Sequence, residues 1–235
     1  YMKRLFISLA ILAGISLSSC NDSFLEKTPV TDLTENNAFN SYDNFKAFMW
    51  PCYEMFTNNT IRTSLQGFGQ DGQYKGDMAA GYFQQKYESG YNEFAYQTVA
   101  SVASGNGWDF KSFIRRVNIM LSHIDNSSMT EAQKDHWRAV GYFFHSFWYM
   151  ELIDRFGDVP WVDQVLQEDS PEAYGPRVDR KTVADKVLER LQWAEQNIGN
   201  FTSQDGDNTI NQDCVRAVIW RFGLREGTWR KYHEL

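Results

Sequence analysis

The 235-residue sequence is poor in the residues that mark several large protein classes. Three cysteines are too few for a scaffold held together by disulfides, and the isolated Cys52 and Cys214 favour buried free thiols over a bridge. Five prolines and sixteen glycines exclude collagen-like and proline-rich chains. Basic residues are outnumbered as well: 23 Lys and Arg stand against 30 Asp and Glu, and the net charge of −7 argues against nucleic acid as a partner.

Motifs of common catalytic chemistry are also missing. The sequence has neither a Gly-Lys-Ser/Thr phosphate loop nor a Gly-x-Ser-x-Gly nucleophile motif. Glu151 and Asp154 could form an acid–base pair, but their position near the end of a predicted helix favours pairing with Arg155 or with solvent. His136 and His145 are nine residues apart, on opposite helix faces, and imply no zinc site. We therefore predict a protein that is not an enzyme and carries no cofactor or metal.

The turn Asp205-Gly206-Asp207-Asn208 is similar to the start of a calcium-binding loop. Thr209 stands at the fifth position of that loop, however, and the glutamate of the twelfth position is absent. These two departures favour a solvated turn over a calcium site.

The N-terminus has the order of an export signal. Lys3 and Arg4 precede an apolar run at residues 5–17, which at thirteen residues is too short to cross a membrane as a mature helix. The run ends in Leu17-Ser18-Ser19-Cys20, which resembles the bacterial lipobox, where the cysteine sulfur receives a diacylglycerol and becomes the new N-terminus. We predict a signal peptide at residues 1–19, a lipid anchor on Cys20 and a tether at residues 20–41. A chance cysteine behind an ordinary cleavage site is the alternative.

Hydrophobic spacing predicts an all-α fold built from helical hairpins. Apolar residues recur every three or four positions at 42–56, where Pro51 should bend the helix, and again at 108–124. Asn118 lies on the second of these helices beside apolar neighbours and should bond buried main-chain groups. No strand-like alternation of useful length occurs.

A long helix follows, with Thr130 as its N-cap and Gly157 in the left-handed position behind its end. Seven of the thirteen residues at 137–149 are aromatic, so other elements should cover this helix on several sides. The predicted core rings are Trp137, Phe143, Phe144, Phe147 and Trp148. The spacing Trp137-x2-Val140-Gly141-x2-Phe144 is similar to the first half of a tetratricopeptide repeat, in which a small residue lets a neighbouring helix approach.

Two further helices complete the pattern. Thr182 with Asp185 resembles a capping box that opens the first of them. Asn211 should cap the second, which continues to the last residues of the sequence. These helices suggest a second antiparallel pair.

The stretch at 57–107 differs from the rest, since it holds eight of the sixteen glycines and has only weak periodicity. Sugars present C–H faces that stack on aromatic rings and hydroxyls that bond to amides and carboxylates. We therefore predict ligand-binding roles for Asp71, Gln73, Tyr74 and Tyr82. Packing of these tyrosines onto the helices is the alternative.

Several short segments, in their order along the chain, carry a resemblance to a known family. They are the lipobox with Cys20, Phe24-Leu25-Glu26 with Pro29, Trp108 with Arg116-Val117-Asn118, Arg155-Phe156-Gly157-Asp158-Val159-Pro160 and Glu226-Gly227-Thr228-Trp229-Arg230-Lys231-Tyr232-His233. Together they make the chain similar to the N-terminal part of a SusD/RagB-type outer-membrane lipoprotein of the Bacteroidota.

The resemblance implies a SusD-like helical domain with degenerate tetratricopeptide-like hairpins at 42–235, incomplete at its C-terminus. It also implies a surface protein, lipid-anchored in the outer membrane and facing outward, that captures oligosaccharides or other nutrients. The implied partner is a SusC-like TonB-dependent transporter, to which the ligand is delivered. A structural tetratricopeptide-like adaptor without sugar binding is the alternative.

Overall fold

The hydrophobic periodicity is realised as helices in the computed structural model, which describes residues 39–56, 108–110 and 112–233. These residues belong to one compact unit, Phe39–Leu235. The α-helices are α1 (Tyr42–Met49), α2 (Phe113–His123), α3 (Glu131–Phe156), α4 (Arg180–Asn197), α5 (Thr202–Asp205) and α6 (Gln212–Tyr232), with 3-10 segments at Trp50–Phe56 and Pro171–Tyr174. The described residues form no strand, only an isolated bridge between Val159 and Val178, so the all-α prediction is confirmed.

The helix predicted at 42–56 changes type close to Pro51, where a bend was predicted. The α-helical hydrogen bonding of α1 stops at Met49, and the chain continues as a 3-10 segment with Pro51 in its first turn. Proline has no N–H to donate and its ring crowds the preceding turn, which accounts for the change of helix type. The segment still buries Cys52 and Met55 against the core.

The long helix α3 has the predicted ends. Thr130 Oγ1 accepts from the Gln133 amide across 3.4 Å, and the Gln133 side chain accepts from the Thr130 amide across 3.0 Å, which completes a capping box. Gly157 follows the helix with a φ of 69°, a conformation that favours glycine. The five predicted core rings are all buried, each with 4% exposure or less: Trp137, Phe143, Phe144, Phe147 and Trp148.

Gly141 lets α2 approach α3, as the repeat-like spacing predicted. A Cβ atom at Gly141 would lie 2.5 Å from Met120 Cε and 3.0 Å from Leu121 Cδ2. Both of those side chains belong to α2, so only glycine fits there without displacement. The two helices therefore pack as a close hairpin.

The start of α4 differs from the prediction. Its N-cap is Asp179, whose Oδ1 accepts from the Thr182 amide across 2.9 Å, so the predicted capping box of Thr182 with Asp185 is wrong. Asp179 is the better placed cap because it lies three residues before the orphan amide. Asp185 pairs instead with Lys181 and Arg230, at 3.1 and 2.7 Å. The predicted Asn211 cap of α6 is confirmed by its bond from the Cys214 amide.

Arginines join the C-terminal end of α3 to α4 and α6. Arg180 is buried, donates to Glu226 across 2.6 Å, and lies 3.8 Å from the ring centroid of Trp229. The prediction that Glu151 and Asp154 pair with Arg155 or with solvent is wrong for Asp154, which forms ion pairs with Arg180 and Arg225. Glu151 does interact electrostatically with Arg155, and it also lies 4.0 Å from Arg225. The partners of Asp154 come from helices distant in sequence, which local spacing does not reveal.

Candidate functional site

A pocket of about 490 Å³ opens between the 3-10 segment at Trp50–Phe56, helix α3 and the beginning of α6. Aromatic and thioether side chains supply its apolar surface: Phe56, Phe143, Phe147 and Met150. The rings are held by one another, with the centroid of Phe147 5.2 Å from Phe56 and 6.1 Å from Phe143. The pocket therefore has a floor of mutually packed aromatic rings.

Residues 207–211, called the wall below, add polar groups to this pocket. Asp207, Asn208 and Asn211 are exposed, Ile210 is buried, and all five residues line the pocket. Glu151 and Arg221 add one acidic and one basic side chain. The combination offers a face for apolar C–H groups and several partners for hydroxyl groups.

Local sequence explains the course of the wall. Gly206 adopts a φ of 90°, which turns the chain out of the one-turn helix α5 at little steric cost. Thr209 Oγ1 then donates to the Gly206 carbonyl across 2.9 Å. Asn211 closes the wall by capping α6. A tight turn and a helix cap thus hold five residues between two helices.

Tyr53 connects the wall to the 3-10 segment. The Ile210 amide donates to the Tyr53 hydroxyl across 3.0 Å. The Tyr53 ring lines the pocket and packs edge-on against Phe144, with 5.1 Å between ring centroids. Burial raises the pKa of Tyr53 to about 12, so its hydroxyl keeps its proton at neutral pH.

A buried polar cluster, called the clamp below, holds the residue that precedes the turn. It consists of Tyr42, Lys46, His136 and Asp205. The Tyr42 hydroxyl donates to Asp205 Oδ2 across 2.6 Å, His136 Nε2 lies 3.2 Å from the same oxygen, and Lys46 Nζ lies 3.8 Å from Oδ1. The Asp205 side chain is only 5% exposed. The prediction of a solvated turn is therefore wrong for Asp205.

His136 also contacts the chain that leads into α5. Its Nδ1 donates to the Gly199 carbonyl across 3.1 Å, because a carbonyl can only accept. Burial lowers the pKa of His136, while the Asp205 carboxylate and the Gly199 carbonyl oppose that change. The imidazole thus contacts both ends of the segment 199–205.

The predicted ligand residues Asp71, Gln73, Tyr74 and Tyr82 lie outside the described residues, as does Cys20. Sequence reasoning did not find the pocket, although it placed Phe143 and Phe147 in the core and singled out the turn at 205–208. Within residues 39–56, 108–110 and 112–233, no group of three His, Cys, Asp or Glu side chains could hold a metal ion. Over the same ranges, every helix is too short or too polar to cross a membrane.

Fold and pocket together define a class: an all-α scaffold of helical hairpins with a ring-floored, amide-walled pocket. Residues 23–219 match the profile of a SusD-like family described as "Starch-binding associating with outer membrane", and the chain belongs to this family. No protein of curated function matches the sequence.

Solved structures of SusD-like proteins share the fold. A SusD-like protein from Bacteroides fragilis is 17% identical with a TM-score of 0.61, over 87% of this chain and 39% of that one. A SusD-like carbohydrate-binding protein from Bacteroides vulgatus is 17% identical with a TM-score of 0.57, over 82% and 43%. A laminarin-binding SusD-like protein is 17% identical with a TM-score of 0.52, over 80% and 41%. The chain thus spans about two fifths of the length of these proteins.

Proposed function

We propose that this chain binds oligosaccharides at the cell surface as a lipid-anchored outer-membrane protein and delivers them to a SusC-like TonB-dependent transporter. The match of residues 23–219 to a family described as starch-binding and associated with the outer membrane carries the proposal. The laminarin-binding relative adds a candidate ligand class, the β-glucans. The role is binding without turnover, so a bound oligosaccharide should be recovered intact.

The pocket is our proposed contact for the sugar on the described part of the chain. Its volume of about 490 Å³ accommodates one or two sugar rings and falls within the usual range for small-ligand sites. The apolar C–H face of a hexose would pack on Phe56, the part-exposed ring of the pocket, while its hydroxyls would bond to Asn208 and Asp207. Asp71, Gln73, Tyr74 and Tyr82 are proposed as additional contacts.

Calorimetry on the full chain against laminarin and starch oligosaccharides tests the binding step. We expect dissociation constants from micromolar to millimolar, about 4–8 kcal/mol, because a shallow wet site gains few strong contacts. Asn208→Ala should weaken binding and leave the melting temperature unchanged, since Asn208 is exposed. The matched control is Asn126→Ala, an exposed asparagine in the turn between α2 and α3, which should change neither quantity.

Cys214 provides a reporter of where the sugar binds. Its thiol is free and lines the pocket. A bound oligosaccharide should therefore slow the alkylation of Cys214 by iodoacetamide. Binding that leaves this rate unchanged places the sugar elsewhere, and Tyr74→Ala and Tyr82→Ala then test the second set of contacts. If the chain has no affinity for any of these sugars, the alternative function, a structural adaptor without sugar binding, is favoured.

The anchor and the partner need separate experiments. Cys20→Ala should move the protein from the membrane fraction to the soluble fraction, because two or more acyl chains on one residue suffice for stable anchoring. Protein that stays membrane-bound after this change is not held by the lipid. Co-purification with a TonB-dependent transporter from native membranes tests the delivery step.

A further inference from the structure

We infer that Tyr53 and Asp205 are positioning residues for the ligand: they fix the wall of the pocket, so that affinity depends on the hydroxyl groups of Tyr53 and of Tyr42, which donates to Asp205. This inference rests on the proposed sugar site in the pocket.

The wall is joined to distant parts of the fold at two points. At one end, the Ile210 amide donates to Tyr53. At the other end, Asp205 precedes the turn at Gly206 and accepts from Tyr42. Both tyrosines belong to the segment 42–56, and they lie 157 and 163 residues from their partners.

The attachment of Asp205 to Tyr42 differs from an ordinary surface hydrogen bond, because its two side chains are largely shielded from water. The Asp205 side chain is 5% exposed and Tyr42 is 7% exposed, and the ring centroids of Trp137 and Phe201 lie 5.3 Å from that of Tyr42. A carboxylate in such a place must keep its partners, since a buried charge without them is strongly unfavourable. The clamp therefore fixes the position at which the chain leaves α5.

Between these points the wall itself is exposed. Asp207 and Asn208 face solvent, and the glycine before them allows backbone rotation. Loss of either attachment would leave these side chains free to move away from the aromatic floor. A sugar would then have to order the wall on binding, which weakens its affinity.

Tyrosine-to-phenylalanine variants test the inference because they remove one hydroxyl and keep the ring. Tyr53→Phe removes the Ile210 attachment, and Tyr42→Phe removes a hydrogen bond of the clamp. The matched control is Tyr149→Phe, since the Tyr149 hydroxyl accepts from the Val162 amide across 2.7 Å in the same way but lies outside the pocket lining. Two measurements are made on each full-length variant: amide hydrogen exchange at 206–211, and affinity for the laminarin oligosaccharide.

We expect amide exchange at 206–211 to be faster in Tyr53→Phe and in Tyr42→Phe than in the wild type. Both variants should bind the oligosaccharide about three- to tenfold more weakly, the usual effect of losing one hydrogen bond. Tyr149→Phe should speed exchange at Val162 and leave the affinity unchanged. Asp205→Asn keeps an oxygen that can accept from Tyr42, so it should retain more affinity than Asp205→Ala.

The inference is overturned if amide exchange at 206–211 is unchanged in both Tyr53→Phe and Tyr42→Phe. It is also overturned if exchange becomes faster in these variants while they keep the full affinity of the wild type for the sugar. If the wild type binds no oligosaccharide, the proposed function fails, but the exchange data still decide whether Tyr53 and Asp205 hold the wall. The two failures are therefore distinguishable.

Discussion

His145 donates from Nε2 to the main-chain carbonyl of Val162 across 2.9 Å, although the imidazole is completely buried in the middle of α3. Asn118 donates to the same carbonyl across 3.1 Å, and the Val162 amide donates to the Tyr149 hydroxyl. The main chain of one residue in the loop behind α3 is thus fixed on both sides, at its amide and at its carbonyl, by three side chains from two helices. The expectation that Asn118 bonds buried main-chain groups is confirmed.

The buried imidazole of His145 should make stability depend on pH. Burial lowers the pKa of His145 well below its usual range, and the charge of Arg190 acts in the same direction. This pKa is lower in the folded state than in the unfolded state. The contribution of the neutral His145 side chain to the unfolding free energy is therefore complete above about pH 6.5, the pKa in the unfolded chain. Below that pH the contribution is lost by about 1.4 kcal/mol per pH unit.

His145→Gln tests this dependence, because glutamine keeps an N–H donor and does not titrate. The variant should be less stable than the wild type at pH 7, and the difference in unfolding free energy should shrink at pH 5. Denaturant titrations at the two pH values measure both quantities. A difference that stays constant between pH 7 and pH 5 would contradict the prediction.

Trp148 should contribute far more to stability than Trp220. Trp148 is 4% exposed and its Nε1 donates to the Asp109 carbonyl across 2.7 Å, whereas Trp220 is 80% exposed. Trp148→Ala should therefore cost about 3–5 kcal/mol of unfolding free energy, and Trp220→Ala less than about 0.5 kcal/mol. Denaturant titration measures both. A loss below about 1 kcal/mol for Trp148→Ala would mean that α3 is not central to the core.

Two mid-helix glycines should respond oppositely to the same substitution. Gly141→Gln would force a side chain against Met120 and Leu121, at a cost of about 1–3 kcal/mol. Gly223→Gln places the side chain in open space and removes a poor helix former, so it should stabilise the protein by about 0.5–1 kcal/mol. Thermal unfolding of the two variants is the measurement. If both substitutions changed the thermal stability by the same amount and in the same direction, the contact between α2 and α3 at Gly141 would not be a close one.

The two free cysteines of the folded domain should differ in reactivity. Cys52 is fully buried, and burial raises the pKa of its thiol to about 12, while Cys214 is half-buried. At pH 8, iodoacetamide should modify Cys214 and leave Cys52 intact, because the thiolate is the reactive form. Mass spectrometry of labelled peptides distinguishes the sites, and Cys214→Ser isolates the second. Rapid labelling of Cys52 in the folded protein would rule out this packing.

Local signals in the sequence were sufficient for the long helices. The caps at Thr130 and Asn211, the glycine after α3 and the aromatic content of residues 137–149 all act within a few turns of chain, and each prediction from them is confirmed. Gly141 also indicated a neighbouring helix, because the close packing of two helices requires a small residue at the contact.

Contacts between distant segments were not predictable in this way. Asp205 looked like a surface residue of a polar turn, and its burial depends on Tyr42, which lies 163 positions away. Asp154 was predicted to pair with Arg155 or with solvent, yet its arginines come from α4 and α6. The pocket is formed by three segments that are distant in sequence. From the sequence alone, its residues were therefore interpreted separately, as core rings or as part of a turn.

The bond between Tyr42 and Asp205 also bears on the order of folding. Helices α2 and α3, and likewise α4 and α6, can pair through contacts that are closer in sequence, whereas the hydrogen bonds of α1 to the rest of the fold close loops of 68 residues, from Phe48 to Arg116, and of 163 residues, from Tyr42 to Asp205. Closing such a loop is entropically costly and slow unless the intervening chain is already compact. The hairpins should therefore assemble first and α1 dock onto them last. Partial unfolding would run in reverse, so the pocket would open while most of the helical core is still intact.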